Sequence, residues 1–272
     1  AKSGHWGGII INGKAPISGD KEDKSNTALA EINNKYPYGG NNAADNSGVM
    51  TYVSICYAGA RSTQDIEHNG LTLNGVGNGT TIENIYVLES ADDAIEFFGG
   101  TVNVKNLLAV NSDDDMFDFT QGYCGTLSNC YGIWESDYTS TEADPRGIEA
   151  DGNFDGLYPN HLRQSDFVVD GMTIVNNAAN TTDNVDRMQD VIKIRRGAKA
   201  TIKNALVKGT GGAIDLVDMN DGKGAGNAAS TISITNSLQL TGKKLNGEAV
   251  LNEAGSNTGA DTSVFGWTKY NF

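Results

Sequence analysis

The chain has 272 residues, a formal net charge of −14 at pH 7 and 34 glycines. A surface this acidic repels nucleic acid and anionic lipid, so neither is expected as a partner. No stretch approaches the roughly 18 apolar residues of a membrane helix, so no membrane span is predicted. Short runs rich in Val, Ile, Thr and Tyr alternate with Asn, Asp and Gly clusters, which is typical of an all-β protein with many turns.

An internal repeat covers the middle of the chain. Its units begin at residues 69, 92 and 114, a period of about 22 residues. Each unit reads as a short alternating strand, a Gly turn, a second short strand, an Asn and a third apolar run. Such a unit is one coil of a solenoid. The sequence therefore predicts a right-handed parallel β-helix that forms one domain over residues 1–272.

Longer spacings between the other strands predict inserted segments. A polar insertion at about 18–48, with a weakly helical stretch TALAEINN, is expected to cover one end or one side of the solenoid. Insertions in a solenoid tend to fall on one face, often the binding face. The expected loops lie at about 134–145, 154–166, 176–189 and 220–229.

The first strand of each unit alternates between two faces. The inward residues are predicted to be Leu71, Ile95, Phe117, Ile148, Ile192 and Ile214, with Leu73, Phe97, Phe119 and Ile194 two positions further on. The outward row is predicted to be Thr72, Glu96, Asp118, Glu149, Lys193 and Asp215. Five Asn residues at turn positions are expected to form a structural ladder along the axis: Asn84, Asn106, Asn129, Asn204 and Asn236.

The outward row brings carboxylates close together. If Glu96, Asp118 and Glu149 lie in successive coils, they stack about 4.8 Å apart. Neighbouring charges then repel by roughly 3 kcal/mol at an effective dielectric near 20, so the row needs a cation, a proton or wide solvation. These three residues and Lys193 are the catalytic candidates if the chain is an enzyme. Further cations near the row are either catalytic or ion-pair partners: Arg146, Arg195 and Arg196.

Asp residues also cluster ahead of the strands, where they either cap turns or supply oxygen ligands to calcium. The segment from Asp151 to Gly156 fits the first half of a calcium loop, although its twelfth position is Leu162 instead of Glu. A structural Ca²⁺ is therefore predicted. Its candidate ligands are Asp92, Asp93, Asp113, Asp114, Asp115, Asp151, Asn153 and Asp155.

Two smaller features leave alternatives open. The aromatic residues Trp134, Tyr138 and Tyr158 either stack on carbohydrate or pack the inserted loops against the solenoid. Cys124 and Cys130 either form a disulfide in an oxidising compartment or are two buried thiols.

Five segments resemble a family of large secreted proteins that is common in Bacteroidetes and found in other Gram-negative bacteria. They are WGGIIINGKAPI, YGGNNAADNSGVMTYVSICYAG, NGLTLNGVGNGTTIENIYV, DDAIEFFGGTVNVKNLLAVNSDDDMFDF and VFGWTKYNF. The resemblance implies a parallel β-helix, export as a lipoprotein or with a sorting tail, and further coils before the Trp-Gly-Gly strand. It implies no activity. Family members tend to carry Phe-Glu-Ser-Asp-Asn where this chain has Ile148 to Gly152.

Three functions are compatible with these features. The leading hypothesis is a secreted or cell-surface module, stabilised by calcium, that binds a polysaccharide or assembles with other surface proteins. The second is a calcium-dependent lyase or glycoside hydrolase that acts on an acidic polysaccharide. The third is a fibre-forming subunit, because open strand edges at the ends of a solenoid favour end-to-end self-association.

Overall fold

The computed structural model describes residues 3–22, 24–62, 66–179 and 188–272. Eighteen strands make up almost all of its regular structure. They are β1 (Ile9–Asn12), β2 (Thr27–Leu29), β3 (Pro37–Gly39), β4 (Val49–Cys56), β5 (Leu71–Asn74), β6 (Thr81–Leu88), β7 (Ile95–Phe98), β8 (Asn103–Val110), β9 (Phe117–Thr120), β10 (Thr126–Trp134), β11 (Ile148–Asp151), β12 (Asp166–Asn176), β13 (Met188–Arg195), β14 (Lys199–Lys208), β15 (Gly212–Asp218), β16 (Thr231–Asn236), β17 (Gln239–Leu240) and β18 (Val250–Glu253). Short 3-10 helices span Phe154–Gly156 and Thr262–Thr268.

The strands form two parallel sheets that wind together into eight coils. Sheet one has the order β1-β5-β7-β9-β11-β13-β15-β17, and sheet two has the order β4-β6-β8-β10-β12-β14-β16-β18. Each coil gives one strand to each sheet, and every coil stacks on the next. The predicted right-handed parallel β-helix is confirmed.

The core lies between the two sheets, because alternate side chains of each strand point inward. Leu71, Ile95, Phe117, Ile148 and Ile192 are fully buried and stack from coil to coil, as predicted. The prediction of Ile214 as the last residue of this inward stack is wrong. Ile192 pairs with Val217 instead, because Asp190 of β13 aligns with Asp215 of β15.

Each long strand of sheet two bends at a residue with a left-handed backbone, and four of these residues are Asn. Asn106 donates a side-chain hydrogen bond to Asn84 (2.9 Å), and Asn129 donates one to Asn106 (2.8 Å). Gly171 takes the next position, with φ of 73°, before Asn204. The predicted ladder is thus confirmed for three residues. Asn236 does not belong to it, since it pairs with Val207 and caps the turn at Leu238.

The polar insertion lies along one side of the solenoid. Its first residues follow the corner after sheet one, where Ala15 bonds to Gly75, and Ser18 bonds to Gln121 two coils further on. The stretch predicted as weakly helical contains β2 instead, which pairs with β3 in an antiparallel hairpin. The hairpin is stabilised by its own small apolar cluster, which consists of Ile17, Ala28, Ala30 and Tyr38, with Phe98 packed against it.

The remaining connections leave the solenoid between strands. The segments between β10 and β11, β11 and β12, and β15 and β16 hold the predicted loops, and residues 180–187 of the fourth lie outside the described residues. The C-terminal segment runs back over the outer face of sheet two, where Phe265 is fully buried. All three cysteines are free thiols, so Cys124 and Cys130 do not form a disulfide.

The Asn ladder gives a first testable prediction. Asn106→Ala removes two side-chain hydrogen bonds, each worth about 0.5–1.5 kcal/mol. It also replaces an Asn, which tolerates the left-handed conformation, by an Ala, for which that conformation costs about 1–2 kcal/mol. We therefore expect the free energy of unfolding in urea to fall by about 2–5 kcal/mol. Asn106→Gly loses the hydrogen bonds but tolerates the backbone, so it should lose less. Equal stability of the two variants would contradict the role of the left-handed bend.

Candidate functional site

Two rows of charged residues run along sheet one. The first row is the outward row of the strands, and strand pairing aligns its members as Thr72, Glu96, Asp118, Glu149, Lys193 and Asp218. The prediction of Asp215 as the last member of this row is wrong. The register of β15 that displaces Ile214 also places Asp218 opposite Lys193. The second row lies three residues earlier in the chain, and its members are Asp93, Asp115, Arg146, Asp190 and Asp215.

In the C-terminal half of these rows, basic side chains neutralise the acids. The buried Arg146 contacts Glu149, and it lies 3.8 Å from Asp190 and 4.0 Å from Asp115. Burial alone would lower the pKa of Arg146, but Glu149 and its other acidic neighbours raise it. Lys193 contacts Asp218 and lies 3.7 Å from Asp190. Each basic side chain therefore lies between carboxylates of neighbouring coils.

In the N-terminal half of the rows, the described residues provide no such ion-pair partner. Asp93, Glu96 and Asp118 place carboxylate oxygens within 4.8 Å of one another. Among the described residues, no Lys or Arg nitrogen lies within 4.0 Å of these three carboxylates. Burial, together with the neighbouring acids, raises the pKa of all three carboxyls well above the ordinary range. Three such groups retain protons or bind a cation.

Unpaired oxygen atoms mark the same region. Asp115, 2% exposed, has a buried Oδ1 without a hydrogen-bond partner, and so has Asp118. Asn69 donates from Nδ2 to Glu96 at 2.6 Å, while its own buried Oδ1 has no partner. Buried acceptors without donors are costly and uncommon in folded proteins. These oxygens can therefore hold a cation.

A second carboxylate cluster lies at the corner before β7 and β9. Asp92, Asp93 and Asp114, all predicted metal ligands, have oxygens within 4.8 Å of one another. Burial, and next the charge of Glu149, raises the pKa of Asp114 to about 8. Asp93 belongs to this cluster and to the triad with Glu96, so the two clusters are continuous.

The other predicted metal ligands have protein partners. Asp113 accepts hydrogen bonds from Tyr138 Oη (2.9 Å) and from the backbone N–H (2.8 Å) and hydroxyl of Thr141. In the segment that resembles a calcium loop, Asp151 pairs with Arg195 and Arg196, Asp155 pairs with Arg196 and Lys223, and Asn153 Oδ1 accepts from the N–H of Tyr158. Ion pairs and hydrogen bonds within the protein therefore hold these side chains, in contrast to the carboxylates of Asp93, Glu96 and Asp118.

A cleft of about 410 Å³ opens over the outward row. Its floor contains carboxylates of β7, β9 and β11, and its walls come from the insertion and from the loop after β11. The lining residues are Asp20, Leu29, Glu31, Tyr38, Glu96, Phe98, Asp118, Thr120, Gln121, Glu149, Asp151, Phe154, Asp155, Arg195 and Arg196. The structure therefore brings three of the catalytic candidates, Glu96, Asp118 and Glu149, into one cleft, whereas Lys193 is not among its lining residues.

The predicted carbohydrate-stacking residues lie elsewhere. Trp134 is fully buried and donates to the carbonyl of Ser112 (2.9 Å), so it cannot stack on a ligand. Tyr138 packs against Trp134, and Tyr158 donates to the carbonyl of Asp20. The aromatic residues that line the cleft are Tyr38, Phe98 and Phe154. Phe98 could be predicted from the sequence, because it lies two residues after Glu96 and alternation directs both side chains outward. Tyr38 could not, because it reaches the cleft only through the fold of the insertion.

A family profile described as a pectate-lyase like beta helix domain matches residues 1–269. No curated protein and no solved structure gives a significant match. Within the described residues, no helix is both long and apolar enough to cross a membrane.

The raised carboxyl pKa values give a second prediction. Without divalent cations, the protein should melt at a higher temperature at pH 5 than at pH 8. The pKa of Asp114 is raised to about 8 and that of Asp190 to about 6, mainly by burial. Their contribution to stability is present below the unfolded pKa of about 3.9 and is lost as the pH rises through these folded values. Thermal melts in EDTA measure the difference, at about 2–4 °C for each 1 kcal/mol. Equal melting temperatures would contradict the raised values.

Proposed function

Because the chain belongs to the family of pectate-lyase-like β-helix domains, we propose that it is an extracellular or cell-surface module that binds an acidic polysaccharide in the cleft of sheet one with the help of calcium. The observation that carries this proposal is the triad of Asp93, Glu96 and Asp118, with which no described Lys or Arg forms an ion pair, on the side of the cleft nearest the N-terminal coils.

The protein itself supports a cation at the triad. In the next coils, Arg146 and Lys193 provide the positive charge that separates stacked carboxylates. The triad has the same stacking without such a side chain. It offers carboxylate oxygens, and beside it Asn69 donates from Nδ2 to Glu96 while its buried Oδ1 accepts no hydrogen bond from the described residues. Calcium takes six to eight oxygen ligands with flexible geometry, so this donor set suits calcium better than a metal that prefers nitrogen or sulfur.

The cleft supports an acidic carbohydrate as the ligand. Glu96 and Asp118 line the cleft, so a cation that they hold is accessible to a ligand carboxylate. Phe98 and Phe154 provide apolar surface for the face of a sugar ring. Without a cation, the carboxylates of the cleft would repel a uronate. Calcium would therefore act as the bridge between the acidic protein and the acidic ligand.

The basic residues favour binding over an elimination reaction. Arg195 contacts Glu149 and lies 2.6 Å from Asp151, and these acids raise its pKa against the effect of burial. A guanidinium held in this way does not release its proton to become a general base. Lys193, another candidate base, forms ion pairs with Asp218 and Asp190.

Glycoside hydrolysis is the second candidate, and one observation favours it. The pKa of Glu96 is raised well above its usual value, by burial and then by the charge of Asp118. A carboxyl with a raised pKa, beside a second carboxyl in a cleft, is the arrangement that an acid catalyst needs. The release of reducing sugars separates this candidate from simple binding.

An extracellular location is part of the proposal. It is supported by the resemblance to secreted proteins of Bacteroidetes, and it agrees with the proposed calcium site, because calcium is abundant outside cells. The resemblance also supports export as a lipoprotein or with a sorting tail.

Asp118→Asn tests the proposed cation site. It removes one carboxylate of the triad with almost no change in shape, so we expect the affinity for Ca²⁺ in isothermal titration calorimetry to fall at least tenfold, or about 1.4 kcal/mol. Asp170→Asn is the matched control, because Asp170 is exposed on sheet two, away from the cleft. Equal Ca²⁺ affinity of Asp118→Asn and the wild type would exclude the triad as the site.

A polysaccharide panel tests the ligand. Oligouronates should bind to the wild type with Ca²⁺ and lose most of their affinity in EDTA, while neutral oligosaccharides of the same length should bind weakly in both. Assays for reducing and unsaturated sugars are run on the same samples. Binding that is unaffected by EDTA would contradict the bridging role of calcium, and release of reducing sugars that Glu96→Gln abolishes would make hydrolysis the function.

A further inference from the structure

An ion pair at the edge of the cleft joins two of the inserted loops. Asp155, in the loop after β11, lies 2.8 Å from Arg196 Nη1 and 2.5 Å from Lys223 Nζ. Arg196 directly follows β13, and Lys223 lies in the loop between β15 and β16, with a Gly on each side. Asp155 and Arg196 both line the cleft. One carboxylate therefore fills the space between two basic side chains at this edge.

Asp155 differs from the other acids around Arg196 in its exposure. Asp151 and Asp221 also pair with Arg196, and their side chains are only 8% and 17% exposed. The side chain of Asp155 is 52% exposed, and that of Lys223 is 46% exposed. Ion pairs between exposed side chains contribute little to stability, because water solvates the separated charges well. Asp155 is therefore the acid that leaves Arg196 most easily.

The backbone is strained at the same contact. Asp155 has φ of 47° and ψ of 30°, and Arg196 has φ of 53°, so both residues are left-handed. Residues other than Gly adopt this conformation at an energetic cost, and such residues cluster at ligand-binding and switch positions. Asp155 also directly follows Phe154, which lines the cleft. A change of backbone conformation at Asp155 therefore alters a wall of the cleft.

Arg196 has unused capacity to bind a carboxylate. A guanidinium presents five N–H donors in a planar fork that matches two carboxylate oxygens. Nη1 of Arg196 donates to both Asp151 and Asp155, and Nε donates to Asp221. Nη2 donates to no side chain or carbonyl in the described part of the chain. A ligand carboxylate in the place of Asp155 thus meets donors on Arg196 and on Lys223.

From these contacts we propose that Arg196 and Lys223 form an anion subsite of the cleft, which Asp155 occupies in the free protein as an internal competitor. A carboxylate of the ligand displaces Asp155 into solvent. This inference rests on the proposed function, because the ligand is the same acidic polysaccharide in the same cleft. The subsite lies two coils from Asp118, about 10 Å at the ordinary strand spacing. One uronate therefore binds the cation at the triad while another binds Arg196 and Lys223.

Internal competition gives the cleft a preference for polymers. Asp155 is tethered beside the subsite, so it competes with a free small anion at a high effective concentration. A polysaccharide that calcium already holds at the triad presents its next carboxylates at a high effective concentration as well. Asp155 therefore excludes single anions more strongly than it excludes a bound chain.

Asp155→Gly tests the competition. Gly accepts the left-handed backbone and removes the carboxylate, so the subsite becomes free. In calorimetry with Ca²⁺, we expect an oligouronate to bind about tenfold more tightly to this variant than to the wild type. Asp166→Asn is the matched control, because it removes the same charge from an exposed pair with Lys199 on sheet two. A gain in affinity no larger than that of the control would overturn the proposal.

A double variant tests the basic partner. When Lys223→Gln is added to Asp155→Gly, most of the gain in oligouronate affinity should disappear, because the subsite loses one of its two cations. Circular dichroism and thermal melts check that each variant is folded. Ca²⁺ affinity should stay close to that of the wild type, since neither residue belongs to the triad. A double variant that binds the oligouronate as tightly as Asp155→Gly would contradict the assignment of Lys223 and overturn the subsite.

A calcium-free measurement separates this inference from the proposed function. A monomeric uronate is titrated in EDTA into the wild type and into Asp155→Gly, and NMR follows the side-chain N–H signals of Arg196. The signals should respond at lower uronate concentration in Asp155→Gly, and this result supports the subsite even if calcium bridging fails. Equal responses of the two proteins would overturn the subsite, while calcium-dependent binding of the oligouronate would leave the proposed function intact.

Discussion

The regular stacking of coils is the constraint on which the whole structure depends. Parallel strands place equivalent residues of successive coils about 4.8 Å directly above one another. Apolar side chains benefit, as the rings of Phe97 and Phe119 show with centroids 5.1 Å apart in a stacked arrangement. Asn residues also benefit, because each amide donates to the next. Carboxylates do not, since each gains a like charge as its nearest neighbour. The same spacing therefore stabilises the core and destabilises the acidic face.

The charge along sheet one shows two ways to resolve this conflict. In the later coils, a basic residue replaces an acid within a row, so that Arg146 and Lys193 separate the carboxylates around them. In the earlier coils, Glu96 and Asp118 stack without an ion pair to any described Lys or Arg, and their pKa values are raised. A Lys or Arg side chain within the row gives a surface whose charge is permanently balanced. A site that must gain its cation from solution can respond to calcium and to pH, which is useful for a surface that binds a charged ligand.

The sequence predicted the features that depend on the period. Glu96, Asp118 and Glu149 are each flanked by apolar neighbours, so their outward direction and their stacking follow from alternation alone. The prediction failed at Asp215 and Ile214, because β15 pairs three residues later than its pattern suggests, and no local signal marks that shift. For Trp134 the sequence left stacking on carbohydrate and packing as alternatives, because the burial of this side chain at the end of β10 depends on contact with the following loop. The walls of the cleft come from distant segments, and their contacts are not encoded in any short motif.

The insertion shows why the cleft lies where it does. A bare parallel sheet offers a flat face with rows of side chains, which binds little on its own. The hairpin of β2 and β3 rises beside sheet one because Ile17 and Tyr38 pack on Phe98, and Tyr38 donates to Gln121 at 2.7 Å. The loop after β11 meets the insertion at Tyr158 and His161. Two segments distant in sequence thus enclose Glu96 and Asp118, with which no described Lys or Arg forms an ion pair, beside the paired Glu149 and Arg195. Enclosure and unbalanced charge coincide at the same coils, and this coincidence is the strongest reason to regard the acidic face as a binding site instead of a by-product of composition.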